Sequence, residues 1–253
     1  MESITKIDKK GKVYTEPVHI DIKKSDVEEY QPLWLIKQFY FRTEFFETYK
    51  DFEKLFMITA DHHVANYQLT DEIKNILINV YKQIIGESFK KTDPLTGRYI
   101  EASESDRQKG LYIAGPTGTG KTTFCTILFN ALRNNLKFLY ADKFYIFNTL
   151  VTSEMKINKE YMRTGDYKNI KDVSLLIDDI GQSKEISYMG NKLDPIKEVI
   201  TERYDNLKYT FTSFTSNYPI NHKSLIDQYG ERVADRIQAM CNYYIINDKN
   251  FRK

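Results

Sequence analysis

"GLYIAGPTGTGKTT", from Gly110 to Thr123, is the stretch that decides the fold. Its first half is a short apolar run of the kind that forms a buried strand. Its second half fits G-x-x-x-x-G-K-[ST], and the "TTFCTILFNALRNN" that continues it reads as a helix. Strand, glycine loop and helix in that order are the context in which this pattern holds phosphate. Glycines let backbone N–H groups wrap the phosphates, and the helix N-terminus favours their negative charge. Gly115, Pro116, Thr117, Gly118, Thr119, Gly120, Lys121, Thr122 and Thr123 are therefore the expected cradle for ATP. In it Lys121 reaches the β- and γ-phosphates, and the Thr122 hydroxyl ligates Mg²⁺.

Working outward, strands alternate with helices. "KFLYA" reads as a second strand, "VSLLIDDIG" as a buried strand ending in acid, and "TFTSFTSN" as a further one. Between the last two, Asp194 followed by Pro195 opens a helix with Ile196, Val199 and Ile200 on its inner face. This alternation predicts an α/β fold, a parallel sheet flanked by helices on both sides.

A Mg²⁺–nucleotide site needs a carboxylate at the end of a neighbouring buried strand, and "LLIDDIG" supplies one. Asp178 takes the metal-facing position, and Asp179 is placed to polarise the attacking water. Many such ATPases carry the longer Glu there, so Asp179 needs a small shift of water or chain; the competing role is to cap the turn at Gly181. One strand later, Asn217 in "FTSNYP" can hydrogen-bond the attacking water or the γ-phosphate, or simply make the turn before Tyr218-Pro219.

The order "GPTGTGKTT", "LLIDDIG", "FTSNYP" and "YGERVADRI" resembles the AAA+ ATPases of the DnaC/DnaI-type bacterial helicase loaders, with the IstB-type transposition helpers as close relatives. The resemblance spans roughly residues 105–253. It implies an AAA+ core in which Lys121 and Thr122 are Walker A residues and Asp178 and Asp179 Walker B. It makes Asn217 sensor 1, Arg236 the arginine finger, and Arg252 a counterpart of the late sensor-2 arginine. It also implies a replicative hexameric helicase and single-stranded DNA as partners.

The residues around Arg236 are consistent with that role. In "GERVADRIQAM", Val233, Ile237 and Met240 form an inward stripe, with Arg232 and Arg236 at the edge of the exposed face. Arg232 has Asp235 at i+3. Arg236 has no acid at three or four residues to either side, which leaves it free for a phosphate on a neighbouring subunit. A finger of that kind predicts self-association into a ring or spiral.

Three regions follow: 1–60, a mainly helical partner-binding segment that matches no named family; 61–109, a helix and linker; and 110–253, the ATPase domain. Residues 31–60 are dense in aromatics, Trp34, Phe39, Phe41, Phe52 and Phe56 among them, and must pack on the main domain or a partner. Thr70 is the expected N-cap of a helix buried through Ile73, Leu77, Val80 and Ile84. Residues 86–109 read as a loop. Lys156, Lys159, Arg163, Lys168 and Lys171, interleaved with Tyr161 and Tyr167, either track single-stranded DNA or are a solvated helix pair.

With 37 Lys+Arg against 35 Asp+Glu, the chain is no uniformly basic DNA-coating protein. It has no apolar run of membrane-spanning length and no secretory h-region. Cys125 and Cys241 form no metal or redox motif, and His19, His62, His63 and His222 lack ligand spacing, so a reducing cytoplasm is expected. The alternatives to an ATP-driven helicase loader are an IstB-like transposition helper, a P-loop small-molecule kinase, and a nucleotide-gated binding module with negligible turnover.

Overall fold

The computed structural model describes residues 48–133, 149–167, 170, 173–182, 194–205 and 211–247, together with strands at 3–7, 13–17, 40–43, 136–140, 143–146, 186–188 and 191–193. An antiparallel pair, β1 (Ser3–Ile7) and β2 (Val13–Pro17), precedes β3 (Tyr40–Thr43) and helices α1 (Tyr49–His63) and α2 (Asp71–Ile85). A hairpin, β4 (Lys90–Thr92) and β5 (Tyr99–Glu101), leads through a 3₁₀ turn at Glu104–Gln108 into β6 (Gly110–Ala114) and α3 (Lys121–Leu132). Then come β7 (Leu136–Tyr140), β8 (Lys143–Ile146), β9 (Thr149–Ser153), α4 (Glu154–Thr164) and β10 (Ser174–Ile180). A small hairpin, β11 (Ile186–Tyr188) and β12 (Asn191–Leu193), precedes α5 (Pro195–Asp205), β13 (Thr212–Ser216), α6 (Lys223–Tyr229), α7 (Glu231–Met240) and β14 (Cys241–Ile245).

The centre is a five-stranded sheet in the order β14-β6-β13-β10-β9, every neighbouring pair parallel. The α/β class expected from the alternation is the one found. Alternating side chains serve two cores, as a sheet covered on both faces requires. Leu111, Ile113, Leu176 and Tyr244 pack with α1, α2 and α3. Tyr112, Leu175, Ile177, Phe214 and Tyr243 pack with residues of α5, α6 and α7.

The expected helix after Thr70 is present: the Thr70 hydroxyl accepts from Ile73 N–H, and Ile73, Leu77, Val80 and Ile84 are all buried. The helix opened by Asp194-Pro195 is α5, with Ile196, Val199 and Ile200 buried and the Asp194 carboxylate accepting from Ile196 N–H. From the aromatic segment, Phe52 and Phe56 of α1 sink fully into the first core, Phe56 lying 5.7 Å from the Phe124 ring of α3. Each such burial is worth ~2–3 kcal/mol. The helix runs on through residue 60, so it belongs to the same packing unit as the domain behind it.

Three expectations are corrected. "KFLYA" gives β7, but β7 pairs antiparallel with β3 and β8, outside the central sheet. Two residues separate β7 from β8, a connection that antiparallel pairing allows and parallel pairing does not. The place beside β10 is taken by β9, "TLVTS". The stretch 86–109 is no plain loop, since it holds β4, β5 and the 3₁₀ turn. Finally, the first sixty residues contain strands β1, β2 and β3 as well as α1, so they are not simply helical.

Candidate functional site

The site lies along the C-terminal edge of three adjacent strands, β6, β13 and β10. Gly115, directly after β6, has φ +151°, and a Cβ there would stand 2.0 Å from the Ile246 carbonyl oxygen. A side chain at this position would push the loop off the chain that leaves β14. From Gly115 the loop passes to Gly120, which precedes α3 and offers no side-chain cap. The N-terminal end of the α3 dipole faces this loop and favours an anion there. Thr119 is buried, its hydroxyl donating to the Pro116 carbonyl at 2.9 Å.

Lys121 is 4% exposed, and its ammonium donates to the Pro116 carbonyl at 2.8 Å and to Asn217 Oδ1 at 3.0 Å. The expected sensor residue thus meets the expected Walker lysine directly. The loop carrying Asn217 is itself braced. Tyr112 Oη donates to the Tyr218 carbonyl at 2.9 Å, and the Tyr218 ring stacks on His222 at 4.9 Å.

Between β10 and β13 the register slips by one residue: Ile177 opposes Phe214, and Ile180 opposes Ser216. The extra residue falls at Asp178–Asp179, a bulge that re-aims both carboxylates. Asp179 has φ +55°, one of two non-glycine residues in the left-handed region among the described residues. That conformation costs ~1–2 kcal/mol and persists when its surroundings over-determine it. Thr215 is one determinant. Its hydroxyl donates to Asp178 Oδ1 at 2.5 Å and accepts from Asp179 N–H at 3.0 Å. Ser216 adds a second staple, donating to the Ile180 carbonyl at 2.9 Å.

Asp178 and Lys121 also register at Cys125 on α3. Burial raises the Cys125 thiol well above its ordinary range; the Asp178 charge raises it further and the Lys121 charge opposes it. The two residues expected to ligate Mg²⁺ lie on different elements, Thr122 as the second residue of α3 and Asp178 on β10. The described residues contain no group of three or more His, Cys, Asp or Glu arranged to hold a metal by themselves.

Arg236 departs from the sequence expectation. It is buried, not at the edge of an exposed face, with Nη2 3.1 Å from Asp205 Oδ1 and its guanidinium 5.2 Å from the Tyr204 ring centroid. The acid comes from α5, which packs on α7, so spacing along α7 could not reveal it. Arg232 is the exposed arginine of the two. Val233, Ile237 and Met240 are buried as expected. Arg252 lies outside the described residues.

On α4, Lys156 and Lys159 are exposed, whereas Arg163 pairs with Glu160 at 2.6 Å. Tyr161 stacks on Tyr167 at 6.0 Å, and the Tyr167 hydroxyl donates to Glu198 at 3.3 Å. Lys168 and Lys171 lie outside the described residues, as do His19, Trp34 and the aromatics at 39 and 45–46. His62 and His63 are exposed; His222 caps α6, its ring accepting from Ser224 N–H. Among the described residues no helix is long and apolar enough to cross a membrane. Thr215 was missed by the sequence reading; its only signal was a hydroxyl two residues before Asn217 in an otherwise buried strand.

Loop and sheet together define a P-loop α/β fold. The backbone is similar to that of DnaI, with a TM-score of 0.47 and 18% identity over 78% of this chain and 92% of that one. It is similar as well to the DnaC helicase loader, at 0.45 and 21% over 77% of this chain and 99% of that one. A proposed primosome component from Streptococcus pyogenes serotype M3 gives 0.49 and 17%, over 76% and 90% of the two chains. No protein-family model matches the sequence, and no curated protein matches it.

Proposed function

We propose that the chain is an Mg²⁺-dependent ATPase that loads a replicative hexameric helicase onto single-stranded DNA, with its active site completed by a second copy. The observation that carries the ATPase reading is the Lys121–Asn217 contact, made just after β13, beside the Asp178–Asp179 bulge that Thr215 of β13 holds. The loader reading is supported by the order of the four sequence stretches that resemble helicase loaders.

In this reading Lys121 and the α3 amides hold the phosphates, while Thr122 and Asp178 hold Mg²⁺, which offsets phosphate charge. Asp179 accepts a proton from a water whose oxygen bonds to the γ-phosphorus as the bond to the β–γ bridging oxygen breaks, leaving ADP and phosphate. Asn217 orients that water or the γ-phosphate. Arg236 exchanges the Asp205 carboxylate for the γ-phosphate of a neighbouring subunit; guanidinium binds both by the same paired N–H geometry. Exposed Lys156 and Lys159 of α4 contribute to a DNA track.

The test mixes Lys121→Ala with Arg236→Ala protein and follows ATP hydrolysis with single-stranded DNA. Each variant alone is inactive, and the mixture regains part of the activity because some interfaces contain both intact groups. No recovery at any ratio defeats the finger in trans. Incubation of the full chain and ATP with purified hexameric helicase and a single-stranded circle should transfer the helicase onto the circle. Stable binding to a transposase instead of the helicase would move the protein to the transposition-helper class.

A further inference from the structure

Glu154 is the first residue of α4 and is 2% exposed. It follows Ser153, the residue of β9 that lies in register with Asp178. An acid buried so deeply costs several kcal/mol unless its oxygens are satisfied. Here they are, and by a particular set of groups. Oε2 accepts from Gln182 N–H at 3.1 Å. Oε1 accepts from the Tyr229 hydroxyl and from Gln228 Nε2, the latter at 3.3 Å. Tyr229 Oη in turn accepts from Gly181 N–H at 2.8 Å. Burial and the adjacent Glu154 raise the Tyr229 phenol well above its ordinary range, so it remains the proton donor of the pair.

Gly181 and Gln182 are the residues that follow the Asp178–Asp179 bulge and Ile180. Their consecutive N–H groups are thus tied to one buried carboxylate, the second directly and the first through a phenol. Gly181 has φ +92°, and a Cβ there would meet Leu225 Cδ2 at 2.8 Å, so the turn is also closed from the α6 side. On the other side Thr215 fixes Asp179 N–H. The strained left-handed Asp179 therefore lies between two anchors, one on β13 and one made of α4 and α6. An apolar pair of similar volume would fill the Glu154–Tyr229 space at less electrostatic cost. What such a pair could not do is fix the two amides.

We infer that Glu154 and Tyr229 are positioning residues for ATP hydrolysis, holding the Gly181–Gln182 turn so that Asp179 keeps its left-handed conformation at the γ-phosphate end of the site. The inference rests on the ATPase reading. Tyr229 also ends α6 one residue before Gly230, from which α7 and Arg236 start, so the same hydrogen bonds join the Asp179 turn to the arginine helix.

The test uses the full chain with Glu154→Gln and Tyr229→Phe, the second keeping the buried ring. Affinity for a fluorescent ATP analogue should stay within about twofold, because neither residue belongs to the phosphate loop. The turnover number should fall by ~10–100-fold, the scale expected for a misplaced catalytic group. In the Asp179→Asn background, Tyr229→Phe should cause no further loss, since the group it positions is gone. Turnover of Tyr229→Phe equal to wild type below its melting temperature overturns the inference, as does a full additional loss on top of Asp179→Asn. If Glu154→Gln does not fold, Tyr229→Phe decides alone. A wild-type chain that hydrolyses ATP no faster than Lys121→Ala would defeat the ATPase reading and the inference with it. An active wild type with unaffected variants would defeat the inference alone.

Discussion

Lys121 and Asn217 are bonded to each other, the lysine ammonium donating to Asn217 Oδ1 at 3.0 Å across the ends of the adjacent strands β6 and β13. The amide thus holds the group expected to touch the β- and γ-phosphates, from a position one strand away from Asp178 and Asp179. Replacing Asn217 by Ala removes a neutral acceptor from a buried cation while leaving the Pro116 carbonyl in place. Nucleotide affinity should weaken by no more than about tenfold, the value of one such hydrogen bond. Turnover should fall further, by ~10²-fold, if the amide also orients the transition state. Equilibrium binding and single-turnover hydrolysis at saturating ATP separate the two effects; weaker binding with unchanged turnover would assign Asn217 to binding alone.

Asp179 combines a carboxylate with a left-handed backbone, and the two can be separated by substitution. Asn tolerates that conformation nearly as well as Asp, whereas Ala does not. Asp179→Asn should therefore fold with wild-type stability and lose hydrolysis. Asp179→Ala should lose hydrolysis and about 1 kcal/mol of stability as well. Urea denaturation of the two variants reads the difference. If Ala is as stable as Asn, the strain at φ +55° is not present in solution.

Much of this arrangement was legible in the sequence because it is local. The loop, the Asp pair and Asn217 each sit at the end of an apolar run, and strand ends in an α/β sheet converge on one edge. The inward stripe of α7 followed from helical spacing in the same way. What spacing could not give was pairing between elements far apart in the chain. Asp205 reaches Arg236 from α5, Thr215 reaches Asp178 from β13, and Glu154 reaches Tyr229 from α4. Nor could it show which of two adjacent runs enters the sheet. "KFLYA" is the more apolar, yet β7 lies only two residues from β8 and pairs antiparallel with it, which leaves "TLVTS" for the central sheet.

Arg236 is paired with Asp205, whose side chain is about half exposed. The guanidinium is therefore held near the surface without being given up to solvent, and it lies over the Tyr204 ring. Arg236→Ala should cost ~1–3 kcal/mol from lost packing, in addition to any effect on hydrolysis. Asp205→Asn keeps the shape and removes the competing charge. If Arg236 must leave Asp205 to reach a neighbour's phosphate, Asp205→Asn should hydrolyse ATP at least as fast as wild type and assemble at lower protein concentration. Concentration-dependent activity measurements decide it, and slower hydrolysis by Asp205→Asn at every concentration would mean that the pair sets the arginine in place.

Asp106 gives the chain a pH-dependent support away from the site. The side chain is buried, accepting from Lys91 Nζ at 2.7 Å and Lys109 Nζ at 2.9 Å, and from Ser103 N–H and Ser103 Oγ, each at 2.8 Å. Burial pushes its carboxyl upward, but the two lysines and Ser103 outweigh it and hold the group well below the usual carboxylate range. Because the folded value lies below the unfolded one, the stabilisation is complete above about pH 3.9 and is lost as pH falls toward the folded value. Asp106→Asn should cost ~1–3 kcal/mol at pH 7, where two lysines lose their partner. The gap between wild type and variant should stay constant from pH 7 to about 4.5. It should then shrink by about 1.4 kcal/mol per pH unit below about 3.9. Denaturant titrations across that range check it, and a gap that stays constant down to pH 3 would show that Asp106 is not anchored by its charge.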